Sequence, residues 1–243
     1  MIEIINLHKS FGTNKVLRGV NLTIQEGESL AIIGKSGCGK SVLLKHIVGL
    51  LFPDEGYVKF DGKIISELER KELYEIRRRF GFLFQGAALF DSMTVGENVS
   101  LALVENNSSI SKEKINEIVT EKLELVGLPG TENLKPAELS GGMKKRVALA
   151  RALVTNPDYI LYDEPTTGLD PVMSDAIDDL IKSLNEKLTV TSIIVTHDMF
   201  SVRNTADKIA MMYEGKIYFT GTPQNLLEST DPVIQKFIQR TGI

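Results

Sequence analysis

The chain has 243 residues, of which 42% are hydrophobic, and its formal net charge at pH 7 is -4. This composition supports one large hydrophobic core or two closely joined subdomains, and the acidic balance argues against a dedicated nucleic-acid binder. The single cysteine, Cys38, excludes an intrachain disulfide. Neither a signal-peptide pattern nor an uncharged apolar run of the ~20 residues that span a bilayer is visible. We therefore expect an intracellular chain that reaches a membrane only through a partner.

The first part of the chain predicts strands. Apolar and polar side chains alternate over the first thirty residues, with turns at 12–14 and 26–28. This pattern predicts antiparallel strands, which we expect at the edge of a larger sheet. The apolar run from Leu30 to Ile33 predicts a buried strand, and 42–48 predicts a helix.

The segment between that strand and that helix fits the phosphate-binding pattern G-x-x-x-x-G-K-[ST]. Its glycines let backbone N–H groups turn towards phosphate oxygens, and the following helix directs its positive end at them. We predict that Lys40 reaches the β- and γ-phosphates of ATP and that the Ser41 hydroxyl coordinates Mg²⁺. Cys38 fits as a small loop residue better than as a nucleophile. The predicted ATP-binding residues of this segment are Gly34, Lys35, Ser36, Gly37, Cys38, Gly39, Lys40, Ser41 and Val42.

A change of character follows at residue 87. Before it, 57–63 predicts a hairpin, 67–79 a helix and 82–84 a short buried strand that ends at Gln85. We predict that Gln85 touches Mg²⁺ or the attacking water, although such a glutamine is more often an ordinary polar residue. After it, the helical spacing of three segments predicts an inserted α-helical subdomain over 87–148, with residues 1–86 and 149–243 as the α/β core. The three segments are 96–104, 111–126 and 143–154.

Ser140-Gly141-Gly142 stands before the last of these helices, which is rich in basic residues at 144–146. A serine and two glycines at this position offer backbone N–H groups to an anion, and an ordinary serine N-cap is the alternative. One nucleotide does not need two such sites from one chain. Two chains that face head to tail would each supply one, which predicts a homodimer with two ATP molecules between the subunits.

The α/β pattern resumes at residue 158. The apolar runs 159–162 and 192–195 predict central parallel strands, with 175–188 as the crossover helix between them. The segments 209–213 and 216–219 predict a hairpin.

Charged residues follow both central strands. Asp163 and Glu164 follow the first, and we predict that Asp163 holds Mg²⁺ through water. Glu164 is predicted to be the base that orients or deprotonates the attacking water. His197 follows the second strand, and we predict that it lies near the γ-phosphate, although a lone histidine at a strand end is more often structural.

These residues together resemble the ATP-binding subunit of ABC transporters, over essentially the whole chain and in the expected order. The resemblance implies one ATPase domain over 1–243 with a P-loop NTPase (RecA-like) α/β core, an antiparallel β edge subdomain and the helical insertion. Gly34 to Ser41 then looks like the Walker A loop, Gln85 like the Q-loop glutamine, and Ser140-Gly141-Gly142 like the signature motif. Asp163 and Glu164 look like the Walker B aspartate and catalytic glutamate, Asp170 like the D-loop aspartate, and His197 like the switch histidine. Phe11 looks like the aromatic residue that stacks on adenine, with core packing as the alternative.

A more specific resemblance concerns the transported substrate. The segments 41–46, 84–92 and 139–146 are similar to the ATPases of Mla-type systems, which move phospholipid or other lipids between bacterial membranes. This implies an integral-membrane permease, an MCE-domain lipid-binding protein, and a peripheral position on the cytoplasmic face of the inner membrane. Met143 replaces the glutamine that usually ends the signature, but phosphate contact is expected from Ser140 and the glycine N–H groups, so ATP binding should survive.

Two other functions compete with lipid transport. A non-transport ABC ATPase, such as the iron–sulfur cluster assembly ATPase, stays open as the alternative, and the segment 84–92 with Met143 favours the transporter. A small-molecule kinase shares the phosphate loop but has no use for the signature-like motif followed by Asp163 and Glu164. The apolar residues 87–90 fit contact with a permease and fit a core equally well.

Overall fold

The computed structural model describes residues 1–106 and 110–239. Strands and helices alternate along much of the chain. The strands are β1 (Ile2–Phe11), β2 (Asn14–Ile24), β3 (Ser29–Gly34), β4 (Glu55–Phe60), β5 (Lys63–Ile64), β6 (Phe80–Leu83), β7 (Tyr159–Asp163), β8 (Thr191–Thr196), β9 (Lys208–Tyr213) and β10 (Lys216–Gly221). The helices are α1 (Lys40–Ile47), α2 (Arg70–Arg78), α3 (Val95–Asn106), α4 (Lys112–Leu125), α5 (Gly141–Leu153), α6 (Pro171–Leu188), α7 (Met199–Thr205), α8 (Pro223–Leu227) and α9 (Pro232–Ile238).

The central sheet has the order β10-β9-β3-β8-β7-β6. Its strands are parallel from β9 to β6, and β10 closes one edge as the antiparallel arm of a hairpin. Because parallel strands end at the same edge of a sheet, the residues that follow β3, β6, β7 and β8 lie close together. The predicted central strands and the predicted hairpin at the end of the chain are therefore confirmed.

The antiparallel β subdomain is present, as a separate sheet whose strand β2 lies beside the edge strand β10 of the central sheet. β1, β2, β4 and β5 form a separate sheet in the order β2-β1-β4-β5. The apolar face of β1 and β2, with Ile4, Leu17 and Ile24 fully or almost fully buried, packs face to face against α1 and the central sheet. Burial of this face joins the two sheets, and at the edge the N–H of Arg18 on β2 donates to the carbonyl oxygen of Gly215, between β9 and β10, at 2.8 Å.

The core lies on both faces of the central sheet. Along β7 and β8 successive side chains alternate between faces, so that Leu161 and Ile193 face the small sheet while Ile160 and Ile194 face the helices α3 to α6. A third cluster joins β3 and β9 to α7, α8 and α9.

The helical insertion packs around α5, which begins at Gly141 and runs past residue 148 to Leu153. Its outer helices, α3 and α4, contact α5, and α5 also contacts β6. The proposed boundary between insertion and core thus falls inside one helix, and it stays a prediction. Within the described ranges, no helix is both long and apolar enough to cross a membrane.

Candidate functional site

The phosphate loop links the buried strand β3 to the N-terminus of α1, as predicted. Gly39, the residue before the helix, has a φ of 106°, and a Cβ there would lie 2.9 Å from Leu17 Cδ2. A Cβ on Gly34 would lie 2.5 Å from the carbonyl oxygen of Met212. Both positions therefore require glycine, and the chain turns tightly enough there to aim backbone N–H groups at a bound anion.

Lys40 is the first residue of α1 and is only 7% exposed. Its Nζ donates to the carbonyl oxygen of Gly34 at 2.9 Å and lies 3.4 Å from that of Lys35. The same ammonium is 3.9 Å from Oε1 of Glu164. The Lys40 side chain thus folds back over the phosphate loop. Its ammonium lies beside Glu164, within reach of a phosphate bound in the loop.

Asp163 and Ser41, the two residues predicted to hold Mg²⁺, are in contact. Ser41 Oγ donates to Asp163 Oδ1 at 3.2 Å, which joins the start of α1 to the end of β7. Burial raises the pKa of Asp163, and the neighbouring charge of Glu164 raises it further, while the hydrogen bond from Ser41 opposes both. A hydroxyl and a half-buried carboxylate that needs a positive neighbour form a donor set suited to Mg²⁺.

This donor set is incomplete by itself. Across the described ranges, no group of three or more histidine, cysteine, aspartate or glutamate side chains is arranged to hold a metal ion. Bound Mg²⁺ usually keeps several waters and takes further oxygens from a nucleotide's phosphates.

Both the backbone and the side chain of Glu164 are held in place. It has a φ of 52°, a left-handed conformation that is uncommon for a residue with a side chain. Its N–H donates to the carbonyl oxygen of Val195 at 2.8 Å, and its Oε2 receives Thr167 Oγ1 at 3.3 Å. Nδ1 of His197 lies 2.8 Å from the same Oε2. The carboxylate is therefore held from two sides.

Gln85 leaves β6 one strand away from Asp163. Leu83 is aligned with Tyr162, so that Gln85 emerges beside the Asp163–Glu164 pair. It is exposed, and its carbonyl oxygen accepts from Lys145 Nζ. The predicted strand at 82–84 is displaced, because Phe84 lies outside β6 and is 43% exposed.

Ser140 and Asp170, which resemble the signature serine and the D-loop aspartate, cap two further helices. Ser140 Oγ accepts from the N–H of Met143 at 3.2 Å and caps α5, while Asp170 Oδ1 accepts from that of Met173 at 3.0 Å and caps α6. A Cβ on Gly142 would collide with the Met173 methyl group at 1.9 Å. The Met143 side chain is partly buried against the helical core, whereas Ser140 is exposed.

Phe11 is half-exposed, and the apolar residues after Gln85 include both buried and exposed side chains. Phe11, at the end of β1, is 48% exposed with Lys9 Nζ 5.7 Å from its ring centre, so core packing does not account for it. Ala87 is buried, but Ala88 and Phe90 are exposed, so this segment is divided between core and surface.

Sequence reasoning missed three contacts of the site. Thr167 bonds Glu164, Lys145 bonds the Gln85 backbone, and Arg151 bonds the carbonyls of Ala87 and Ala88. The basic run at 144–146 was visible, but nothing in it distinguishes the buried Lys145 from its neighbours.

Comparison with known proteins gives one family. Residues 17–167 match the family model described as ABC transporter. The chain is 43% identical over 239 residues to the intermembrane phospholipid transport system ATP-binding protein MlaF of Haemophilus influenzae, covering 98% of this chain and 90% of that protein. It is 45% identical over 237 residues to the probable ribonucleotide transport ATP-binding protein mkl of Mycobacterium tuberculosis, covering 98% of this chain but only 66% of that protein.

A solved structure of an ATP-binding cassette is similar to this chain over most of its length. A dimeric post-hydrolysis ATP-binding cassette bound to ADP and Pi superposes with a TM-score of 0.83 at 37% identity, covering 92% of this chain and 99% of that one. The chain therefore belongs to the ABC transporter family, as an ATP-hydrolysing subunit of the branch that includes MlaF.

Proposed function

We propose that this ATPase drives the transport of phospholipid, or another lipid, between bacterial membranes. The observation that carries the proposal is the 43% identity to a phospholipid-transport ATP-binding protein over nearly the full length of both chains. The name of the mycobacterial relative suggests ribonucleotide as a competing cargo, but this chain spans only 66% of that protein. The non-transport alternative draws no support from these relatives, whose names specify transport.

The proposed reaction places each side chain in a role. The phosphate loop binds the phosphates of ATP, and Lys40 turns from the loop carbonyls to the β- and γ-phosphates. Ser41, Asp163 and Gln85 would hold Mg²⁺, which when bound neutralises phosphate charge. Glu164 orients the attacking water and accepts its proton, while His197 holds the glutamate carboxylate and reaches the γ-phosphate. The half-exposed ring of Phe11 offers a stacking surface for adenine.

The complete site would require two chains. Ser140, Gly141 and Gly142 of one subunit would contact the γ-phosphate bound by the other, with Asp170 at the same interface. The exposure of Ser140 at a helix N-terminus supports this role, as does the dimeric state of the similar solved structure. ATP would then close the dimer and hydrolysis would reopen it, with the difference in affinity for the two states supplying the work.

The proposed partners are an integral-membrane permease and an MCE-domain lipid-binding protein. The chain would lie on the cytoplasmic face of the inner membrane and attach through the permease. Phe84 and Phe90, which flank the segment after Gln85, are 43% and 51% exposed and offer an apolar surface for that contact.

Affinity purification of the tagged chain from its native membranes tests this proposal. Mass spectrometry should recover a polytopic permease, an MCE-domain protein and bound lipid. Recovery of soluble assembly proteins alone would contradict lipid transport and favour the non-transport alternative. A permease that, once reconstituted, moves ribonucleotide but no fluorescent phospholipid would favour the competing cargo.

A further inference from the structure

Lys145 is a buried cation between two segments of the proposed site. It lies on α5, is 5% exposed, and its Nζ contacts the backbone carbonyls of Gln85 and, at 3.4 Å, of Glu164. Burial lowers the pKa of Lys145, while the charges of Asp163 and Glu164 oppose that shift. Burial of an ammonium group costs free energy unless its N–H donors are hydrogen-bonded. The Lys145 ammonium therefore favours a backbone arrangement in which both carbonyls stay within its reach.

The two carbonyls belong to the ends of neighbouring strands. Gln85 follows β6, and Glu164 follows β7 in a left-handed conformation with a φ of 52°. One side chain from a third element, α5, therefore bonds to both. The strained backbone of Glu164 sets the direction of its carboxylate. A shift of the Lys145 ammonium that moved this backbone would therefore change the position of the carboxylate.

A second contact shows that α5 also holds the segment after Gln85. Arg151 donates from its two terminal nitrogens to the carbonyls of Ala87 and Ala88, each at 2.7 Å. Both alanines have positive φ, 60° and 49°, which is unfavourable without such support. The helix thus holds the backbone at the glutamine and at the two alanines that follow it.

We propose that Lys145 is a positioning residue for hydrolysis, which couples the orientation of α5 to the backbone of Gln85 and Glu164. It rests on the proposed function, in which Glu164 is the base and Ser140, at the start of the same helix, meets the nucleotide of the partner subunit. Contact of Ser140 with the partner's nucleotide would orient α5. The Lys145 ammonium, which moves with α5, would then position the backbone of Glu164 within the same chain. ATP would then be hydrolysed efficiently only when the opposing subunit is in place.

The test compares Lys145→Met with a matched control in the purified transporter complex. Lys122→Met is the control, because Lys122 is 6% exposed on α4 and bonds Glu121 and Asn156 rather than the site. We expect Lys145→Met to lower kcat about tenfold while the Kd for ATP and the Tm change little more than in the control. Lys145→Arg, which keeps the charge, should recover most of the lost kcat.

Several outcomes would overturn the inference. Lys145→Met with the parental kcat would do so, as would equal losses of kcat and Tm in the Lys145 and Lys122 variants, because a merely structural lysine predicts that pattern. If Lys145→Met does not fold, Lys145→Gln carries the same comparison. Failure of the proposed function would appear differently, as a wild-type complex that hydrolyses ATP without moving lipid.

Discussion

Nδ1 of His197 lies 2.8 Å from Oε2 of Glu164, although the residues follow two different strands and are 33 positions apart. The pairing of β7 with β8, in which Asp163 is aligned with Val195, brings them together. Thr167 contacts the same oxygen, so Oε2 is occupied, and Oε1 faces Lys40 at 3.9 Å. In the proposed reaction, Oε1 is the oxygen that would accept a proton from water.

Replacement of the histidine should separate catalysis from binding. In His197→Ala the Oε2 atom keeps only the weaker contact from Thr167, so we expect kcat to fall roughly 10- to 100-fold while the Kd for ATP is unchanged. Steady-state ATPase assays with nucleotide-binding titrations measure both quantities. A variant with the parental kcat would show that His197 does not orient the base.

Replacement of Lys40 should weaken the binding of ATP. Lys40→Ala removes the phosphate ligand and leaves the carbonyl of Gly34 without its 2.9 Å donor. We expect ATP affinity to fall by about tenfold or more, with turnover falling as well. Calorimetric titration with ATP checks this, and Lys45→Ala, an exposed lysine on the same helix, is the control. Equal affinity in the two variants would contradict the role of Lys40.

Much of this site follows from local sequence patterns. The glycine spacing at 34–41 needs only its neighbouring strand and helix, and the carboxylates at 163 and 164 need only the apolar run before them. Adjacency of β7 and β8 was also predictable, because apolar runs joined by a crossover helix form parallel neighbours. These inferences use the order of residues along the chain and little else.

Contacts between elements that are distant in the sequence could not be predicted from it. The sequence of β1 and β2 shows which faces are apolar but not whether those faces pack on another sheet or continue it. Lys145 is one of three consecutive basic residues, and only the packing of α5 against β6 decides that it is the buried one. The pairing of Asp178 with Ser201 likewise depends on the contact between α6 and α7.

A charged residue at the dimer surface should block closure. Ser140→Arg adds bulk and charge where the partner's nucleotide would bind, so we expect loss of the ATP-induced dimer in a Glu164→Gln background, with monomer binding intact. Light scattering detects the dimer. Ser111→Arg is the matched control, because Ser111 also caps a helix, α4, by accepting from Lys114 N at 3.2 Å. Loss of monomer binding in the Ser140 variant would refute its role in trans.

Asp178 should make stability depend on pH. Its carboxyl is 2% exposed with only Oδ2 bonded, to Ser201, and burial raises its pKa to about 6. Since the pKa is higher in the folded state than in the unfolded one, stability is lost as pH rises between about 4 and 6. We expect this loss to be on the order of 3 kcal/mol.

Asp178→Asn should remove that part of the pH dependence, because an amide cannot ionise and can still accept from Ser201. Urea denaturation at pH 4, 6 and 8 measures the difference from the parental chain. Asp179→Asn, an exposed aspartate on the same helix, should show no such change. A parental pH profile in the Asp178 variant would show that the buried carboxyl does not titrate in this range.

The most direct measurement is ATP hydrolysis and phospholipid transfer by the reconstituted complex carrying Glu164→Gln. The change keeps the size of the side chain but removes its ability to accept a proton. We expect ATP binding to persist, the dimer to remain closed, and both hydrolysis and transfer to fall by roughly 100-fold or more. Hydrolysis at the parental rate would contradict Glu164 as the base, and parental transfer without hydrolysis would contradict an ATP-driven lipid transporter.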